Sequence, residues 1–205
     1  MLFSTVTATK GLLTVLLGLI CVGGDRLVDV NKESPLLKAI SDNLTHGLVG
    51  LVSYLVVVID YRTSISLSEQ LLLTFACFII ACGIDVDHFI MARSWKLIHA
   101  TSLPSRPYLH CSTIPLIFLI LTFFASKFSF RLTLWTMMVF CAFLSHHIRD
   151  STRRGLWFFG YGHTSALPYY VYVTAVMALP WIVIRIIDSL TVIKHSMTYN
   201  RVVDV

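Results

Sequence analysis

The stretch from 71 to 92, LLLTFACFIIACGIDVDHFIMA, constrains the fold of this chain more than any other part of the sequence. It is apolar enough to cross a bilayer, which takes about 20 residues in a helix. Three side chains able to bind a metal, Asp85, Asp87 and His88, stand in its last turns. On one continuous helix, Asp85 and His88 share a face and Asp87 points elsewhere. Carboxylates are disfavoured near a helix C-terminus, so we expect a cation beside them, either an arginine or a metal ion.

Composition places the whole chain in a membrane. Of its 205 residues, 56% are hydrophobic and 13% are charged, whereas soluble domains have about 45–50% apolar and about 25% charged residues. The net charge of +5 is spread over many loops, a distribution that favours anionic lipid headgroups over nucleic acid as partners. The five cysteines form no CxxC pair, which favours packing roles over a disulfide framework.

Apolar segments predict an all-α polytopic membrane bundle of about six transmembrane helices, forming a single domain over residues 1–205. Lys10 and the apolar run after it also fit a signal peptide, but we favour a retained first span. Pro35 predicts the start of a short interfacial helix. Lys and Arg are spread almost evenly over both sides, so the membrane orientation is not decided. The predicted spans, followed by a polar tail at 188–205, lie near residues 8–24, 44–61, 71–92, 113–130, 132–147 and 167–187.

Six spans would place the first, third and fifth loops on one side of the membrane. Most of the residues able to bind a metal lie in those loops or the adjoining span ends, namely Asp42, His46, Asp85, Asp87, His88, His110, His146, His147, Asp150 and His163. Residues three or four apart share a helical face, and helical bundles build metal sites from such pairs. The pairs here are Asp42 with His46, Asp85 with His88, and His146 or His147 with Asp150.

The candidate metal ligands are therefore Asp42, His46, Asp85, Asp87, His88, His146, His147 and Asp150. Imidazole and carboxylate groups suit a divalent cation such as zinc, manganese or iron. Such a cation can activate water to attack a phosphorus or carbonyl centre. The alternative is that these polar groups lie at the membrane interface, cap helices and hold the bundle together. Adjacent helical residues face about 100 degrees apart, so only one of His146 and His147 points inward, and the sequence leaves open which.

Other residues on this side could act on a substrate. His110, which precedes the fourth span, is a candidate catalytic base or a further ligand. Guanidinium groups bind phosphate oxygens in pairs, and the alternative for arginines here is anchoring in lipid headgroups. His163 could complete the site, although its loop favours a solvated side chain. The candidate substrate-binding arginines are Arg106, Arg149 and Arg153, with Arg154 beside them.

Four groups of residues stand out as motifs: Ser41-Asp42-Asn43 with Thr45-His46; Asp85-Val86-Asp87-His88; Arg106-Pro107 with Leu109-His110-Cys111-Ser112-Thr113; and Ser145-His146-His147-Ile148-Arg149-Asp150 followed by Gly155-Leu156-Trp157. Together they resemble the eukaryotic transmembrane protein 267 family over most of the chain. The resemblance implies a multi-pass membrane protein and supplies no defined activity.

The sequence is also distantly similar to bacterial inner-membrane metal-dependent hydrolases, whose pattern runs His, then Pro-Asp-x-Asp-His, then His-Arg-x-x-Thr-His-Ser, then Ser-His-x-x-x-Asp. Ile84 stands in place of the Pro, and Ser105 stands where the pattern has a His before Arg106. The missing His removes one ligand, and a metal with an altered ligand set can be purely structural. The matching positions are His46, Asp85, Asp87, His88, His110, His146 or His147, and Asp150.

Two hypotheses follow for the function. In the first, the protein binds a divalent cation at one membrane face and hydrolyses a phosphoester, for example that of a phospholipid. In the second, it is a non-catalytic structural or interaction protein whose His/Asp residues hold the bundle together. A transporter is disfavoured, because transport sites lie near the bilayer midplane and these residues gather at one face.

Overall fold

The protein is a bundle of helices with one short hairpin of strands. The computed structural model describes the backbone of residues 2–203 and the side chains of residues 5–191. A 3₁₀ turn at Tyr108–His110 follows α5, and an antiparallel hairpin of β1 (Trp157–Phe158) and β2 (Gly162–His163) precedes α8. The helices are α1 (Leu2–Val30), α2 (Pro35–Asp60), α3 (Leu67–Gly83), α4 (Val86–Ala92), α5 (Leu97–Ala100), α6 (Thr113–Phe128), α7 (Phe130–Arg154) and α8 (Tyr169–Val203).

This architecture confirms the predicted all-α membrane bundle. Helix α6 is apolar but has only 16 residues. Helix α7 has 25 residues, and its C-terminal turns are polar. The expected number of six spans is therefore approximate. Four segments in the described part of the chain are long and apolar enough to cross a membrane, namely Thr5–Val30, Pro35–Asp60, Leu67–Ala92 and Tyr169–Thr191.

Polar side chains fix several helix ends. Ser66 and Glu69 form a capping box at the start of α3, in which each side chain bonds the backbone N–H of the other. Ser129 caps α7 by accepting a hydrogen bond from the N–H of Leu132. Gly155 ends α7 with a φ of 69°, a left-handed conformation that glycine adopts without strain. Ser129 and Gly155 thus set where α7 begins and ends, and α7 carries much of the site described below.

Two sequence expectations are wrong in detail. Pro35 does not begin a separate interfacial helix, because it is the first residue of α2, which continues to Asp60. The stretch 71–92 is not one continuous helix, since α3 ends at Gly83 and α4 begins at Val86. Glycine has low helix propensity, which makes Gly83 a weak point in the helix. One of the two residues between α3 and α4 is Asp85, a candidate metal ligand.

Helix α8 is longer than the sixth span predicted at 167–187. It begins at Tyr169 and continues to Val203, so most of the predicted tail at 188–205 is helical. Residues 204–205 lie outside the described backbone. Pro180 lies inside this helix, as membrane helices can tolerate.

Helix α2 is the centre of the bundle and packs against α1, α3, α7 and α8. A Cβ atom at Gly50 would lie 2.9 Å from the Cβ of Ala81, so α2 and α3 approach closely through small residues. Tyr54, which is fully buried, donates a hydrogen bond to the backbone carbonyl of Leu134 in α7. This packing brings the N-terminal part of α2 and the C-terminal ends of α3 and α7 to the same end of the bundle.

Candidate metal centre

Four side chains converge at that end of the bundle, and we call Asp85, His110, His146 and Asp150 the His/Asp cluster. The Nε2 atoms of His110 and His146 are 3.2 Å apart. Oδ1 of Asp85 lies 3.3 Å from His110 Nε2 and 3.6 Å from His146 Nε2. Oδ2 of Asp150 lies 3.4 Å and 3.6 Å from the same two nitrogens. In a tetrahedral zinc site, bonds of about 2.1 Å place the ligand atoms about 3.4 Å apart. Five of the six distances between these four atoms are therefore close to those in a tetrahedral metal site.

The local backbone structure orients three of these side chains towards the cluster. His146 and Asp150 are four residues apart on α7 and share a face. Asp85 lies in the break before α4 and makes no capping hydrogen bond there, so its carboxylate is available to the cluster. His146 Nδ1 lies 2.9 Å from the carbonyl oxygen of Ala81. Because a carbonyl oxygen only accepts, Nδ1 donates to it, and Nε2 is the nitrogen that faces the cluster.

Asp87 holds the loop that carries His110. Its Oδ2 accepts a hydrogen bond of 2.7 Å from the N–H of Leu109 and lies 3.4 Å from His110 Nδ1. Asp85 and Asp87 therefore contact opposite nitrogens of the same imidazole ring. A carboxylate behind a histidine is the usual partner that orients a metal-binding imidazole. This places Asp87 behind His110 and outside the four-atom cluster.

The charge of the site favours a bound cation. Asp85, Asp87 and Asp150 all contact His110. Burial disfavours the charged form of His110, but hydrogen bonds to Asp150, Asp85 and Asp87 outweigh burial and raise its pKa to about 11. In the absence of a metal, His110 therefore keeps a proton at neutral pH. A divalent cation can replace that proton and balance more of the carboxylate charge.

Three other predicted ligands lie at the margin of the cluster. His46 stacks on the ring of His146 with 3.7 Å between ring centroids, and its Nε2 lies 3.4 Å from Asp150 Oδ1. Nδ1 of His88 lies 3.2 Å from Oδ1 of Asp87, and the His88 side chain is 30% exposed. His147 turns away, because its Nε2 donates a 2.9 Å hydrogen bond to the carbonyl of Leu109. The structure thus directs His146 into the cluster and His147 to the loop backbone.

Asp42 and two of the predicted arginines form a separate ion-pair network, which we call the arginine network. Asp42 lies 2.6 Å from Arg149 and 2.8 Å from Arg153. Arg149 also lies 2.9 Å from Asp25, and Tyr169 donates a hydrogen bond of 3.1 Å to Asp25. The network joins α1, α2, α7 and α8. Because the carboxylate of Asp42 and the guanidinium of Arg149 are paired in this network, we do not include Asp42 among the proposed metal ligands or Arg149 among the proposed substrate-binding residues.

The third predicted arginine, Arg106, lies elsewhere, in a cleft of about 510 Å³. Burial lowers the pKa of Arg106, and the negative charge of Asp150 opposes that shift. This interaction connects the cleft electrostatically with the His/Asp cluster. The cleft is lined by Pro104, Ser105, Arg106, Arg154, Trp157 and His163.

Some functional groups gave no signal in the sequence. The Ala81 carbonyl that orients His146 and the Leu109 N–H that binds Asp87 are backbone atoms, whose roles follow only from packing. Asp25 could have been found, because it is an aspartate at the end of the apolar run of the first span. Its partner Arg149 could not be inferred from spacing, since 124 residues separate them.

Asp87→Asn is expected to weaken metal binding about 10- to 100-fold, because it removes the charge that orients His110 but keeps the shape of the side chain. Competition between the protein and a chromophoric chelator measures this affinity. Glu33→Gln removes an exposed carboxylate from the same end of the bundle and serves as the matched control. An Asp87→Asn protein with wild-type affinity would contradict the orienting role.

Comparison with known proteins identifies the family of the chain. It is 41% identical over 183 residues to transmembrane protein 267 of Bos taurus, covering 85% of this chain and 82% of that protein. It is 38% identical over 203 residues to transmembrane protein 267 of Xenopus laevis, covering 96% of this chain and 89% of that protein. No protein-family model and no solved structure matches it. The chain therefore belongs to the transmembrane protein 267 family and is an integral, multi-pass membrane protein.

Proposed function

We propose that this protein is a membrane-embedded metalloenzyme that binds one divalent cation at its His/Asp cluster. The observation that carries the proposal is that the two histidine nitrogens lie 3.2 Å apart and that each lies 3.3–3.6 Å from an oxygen of Asp85 and an oxygen of Asp150. Zinc suits such a set of two imidazoles and two carboxylates in a tetrahedron. In this assignment His110 is a metal ligand, and Asp87 orients it.

Exposure favours access from the carboxylate side of the cluster. The side chains of Asp85 and Asp150 are 24% and 22% exposed, whereas those of His110 and His146 are 7% and 0% exposed. The histidines therefore anchor the cation from the interior, and water or a substrate reaches it past the carboxylates. A catalytic cation would bind its water from that side as a fifth ligand, and the pKa of this water would fall to about 7, which would supply hydroxide at neutral pH.

We propose hydrolysis of an ester of phosphoric acid as the reaction. One water would be consumed: its oxygen would bond to phosphorus as the bond from phosphorus to the alcohol oxygen breaks, one of its protons would pass to the leaving alcohol oxygen, and the other would stay on the phosphate. The cation also stabilises the negative charge that develops on the phosphoryl oxygens. We infer this reaction class from the order of the histidines and aspartates in the sequence, His46, Asp85, Asp87, His88, His110, His146 and Asp150.

Turnover in nanodiscs tests this activity. The zinc-loaded protein is expected to hydrolyse chromogenic phosphoesters, to lose that activity with a chelator, and to regain it with added zinc. His146→Ala should be inactive. His99→Ala is the matched control, because His99 is an exposed histidine at the same end of the bundle whose ring bonds Ser94. Equal activity of the loaded, stripped and His146→Ala proteins would contradict the proposal.

A structural metal site is the second candidate, and one observation favours it. The cluster offers four protein ligands, the number that is typical of structural zinc sites. Such a site would fasten the His110 loop to α7 without catalysing a reaction. Zinc would then raise the thermal stability of the wild-type protein, and zinc-loaded protein would turn over no phosphoester.

A further inference from the structure

The cleft beside the His/Asp cluster contains two arginines, Arg106 and Arg154. Within residues 5–191, no carboxylate lies within ion-pair distance of Arg106 or Arg154. Arg149 and Arg153 differ in this respect, since both pair with Asp42. Beyond ion-pair distance, the negative charge of Asp150 and the positive charge of Arg154 both act on Arg106. Two guanidinium groups at one cleft without a directly paired carboxylate attract an anion.

The walls of this cleft are joined to the loop that supplies His110. The N–H of Ser112 donates a 2.6 Å hydrogen bond to the carbonyl of Trp157 in β1. The N–H of Phe159 donates a 3.0 Å hydrogen bond to Oγ1 of Thr113. The hairpin is therefore tied to the chain just after His110. An anion in the cleft lies beside the cluster, on an element fixed relative to it.

We propose that this cleft binds the phosphate group of a phosphoester through Arg106 and Arg154. Guanidinium groups meet phosphate oxygens with paired hydrogen bonds, so two of them suit a tetrahedral anion better than a planar carboxylate. The inference deepens the proposed hydrolase by naming the group that its substrate presents. Binding of that group uses the arginines and requires no bound cation.

The phosphate could belong to a lipid headgroup or to a soluble phosphoester. Exposed aromatic side chains on the hairpin lie next to the cleft, with Phe159 76% and Tyr161 94% exposed. Aromatic side chains such as Tyr are enriched where a membrane protein meets the lipid headgroups, so these residues favour a lipid as the source. Short-chain phosphatidic acid and glycerol phosphate carry the same phosphate group with and without acyl chains, so they separate the two sources.

The test is a ³¹P NMR titration of metal-stripped protein with inorganic phosphate, glycerol phosphate and short-chain phosphatidic acid. The double variant Arg106→Gln/Arg154→Gln is expected to bind all three at least about 10-fold more weakly than the wild type. Arg93→Gln/Lys96→Gln removes two exposed positive charges from the neighbouring loop and should bind as the wild type does. Tighter binding of phosphatidic acid assigns a lipid source, and equal affinities for it and glycerol phosphate assign a soluble one.

Equal phosphate affinity in the wild type and the Arg106→Gln/Arg154→Gln protein would overturn the inference. An equal loss in the Arg93→Gln/Lys96→Gln control would also overturn it, because the binding would then reflect general charge. The two proposals fail separately. If the protein contains metal but its phosphate binding does not depend on the two arginines, only the proposal for the cleft is refuted. If phosphate binding depends on the arginines but the protein takes up no metal, only the metalloenzyme proposal is refuted.

Discussion

Replacement of His146 by alanine is expected to weaken cation binding by more than about 100-fold, since loss of an outer orienting group alone costs 10- to 100-fold. His146 is fully buried, and its Nε2 is part of the four-atom cluster. Elemental mass spectrometry on the protein purified with added zinc would show near-stoichiometric metal in the wild type and almost none in the variant.

The control for this result is His99→Ala, which should retain wild-type metal content. Because alanine at a buried position also leaves a cavity, Asp150→Asn provides a second variant with an unchanged shape. It too should lose the cation. Full metal content in both His146→Ala and Asp150→Asn would contradict the assignment of the cluster.

Arg149→Ala is expected to destabilise the bundle by about 3–5 kcal/mol, as removal of one partner from a buried ion pair does. The side chain of Arg149 is 2% exposed and pairs with Asp25 and Asp42. Its loss leaves those carboxylates without their buried partner, where α1, α2 and α7 meet. Equilibrium unfolding in detergent, followed by circular dichroism, measures the change.

Arg153→Ala is the matched control for this second prediction, because Arg153 pairs with the same aspartate but is 48% exposed. Exposed ion pairs contribute about 0–1 kcal/mol, so this variant should unfold almost as the wild type does. Equal destabilisation by Arg149→Ala and Arg153→Ala would show that burial is not what makes the arginine network stabilising.

The fold class could be predicted because apolar length and composition decide it locally. A run such as 71–92 needs a bilayer whatever its neighbours are. The interruption of that run could not be predicted with the same certainty. A single glycine such as Gly83 occurs in many unbroken helices, and whether a helix breaks there depends on what packs against the following residues. In this chain the break releases Asp85 from the helix.

The side of the bundle that carries the site could also be predicted, because helical spacing shows which residues share a face. His146 and Asp150, four residues apart on α7, are both in the cluster. Spacing within one helix does not show which partner a side chain meets on another. Asp42 and His46 have the same spacing, yet Asp42 pairs with Arg149 while His46 stacks on His146.

The role that we propose for His110, a metal ligand, is one of two that the sequence left open. In the sequence it is isolated between the third and fourth spans, which suggested a catalytic base as readily as a ligand. In the structure, Asp85 and Asp87 contact its two nitrogens, and its Nε2 meets His146. That geometry depends on the loop folding back over the end of α7, which no local pattern encodes.

X-ray absorption spectroscopy at the zinc edge, on wild-type protein purified without chelator and supplied with zinc, shows whether the His/Asp cluster binds a cation. We expect about one zinc per chain, with two imidazole nitrogens and at least two oxygens at about 2.0–2.2 Å. A well-folded protein that binds no metal, or a first shell containing sulfur, would contradict it.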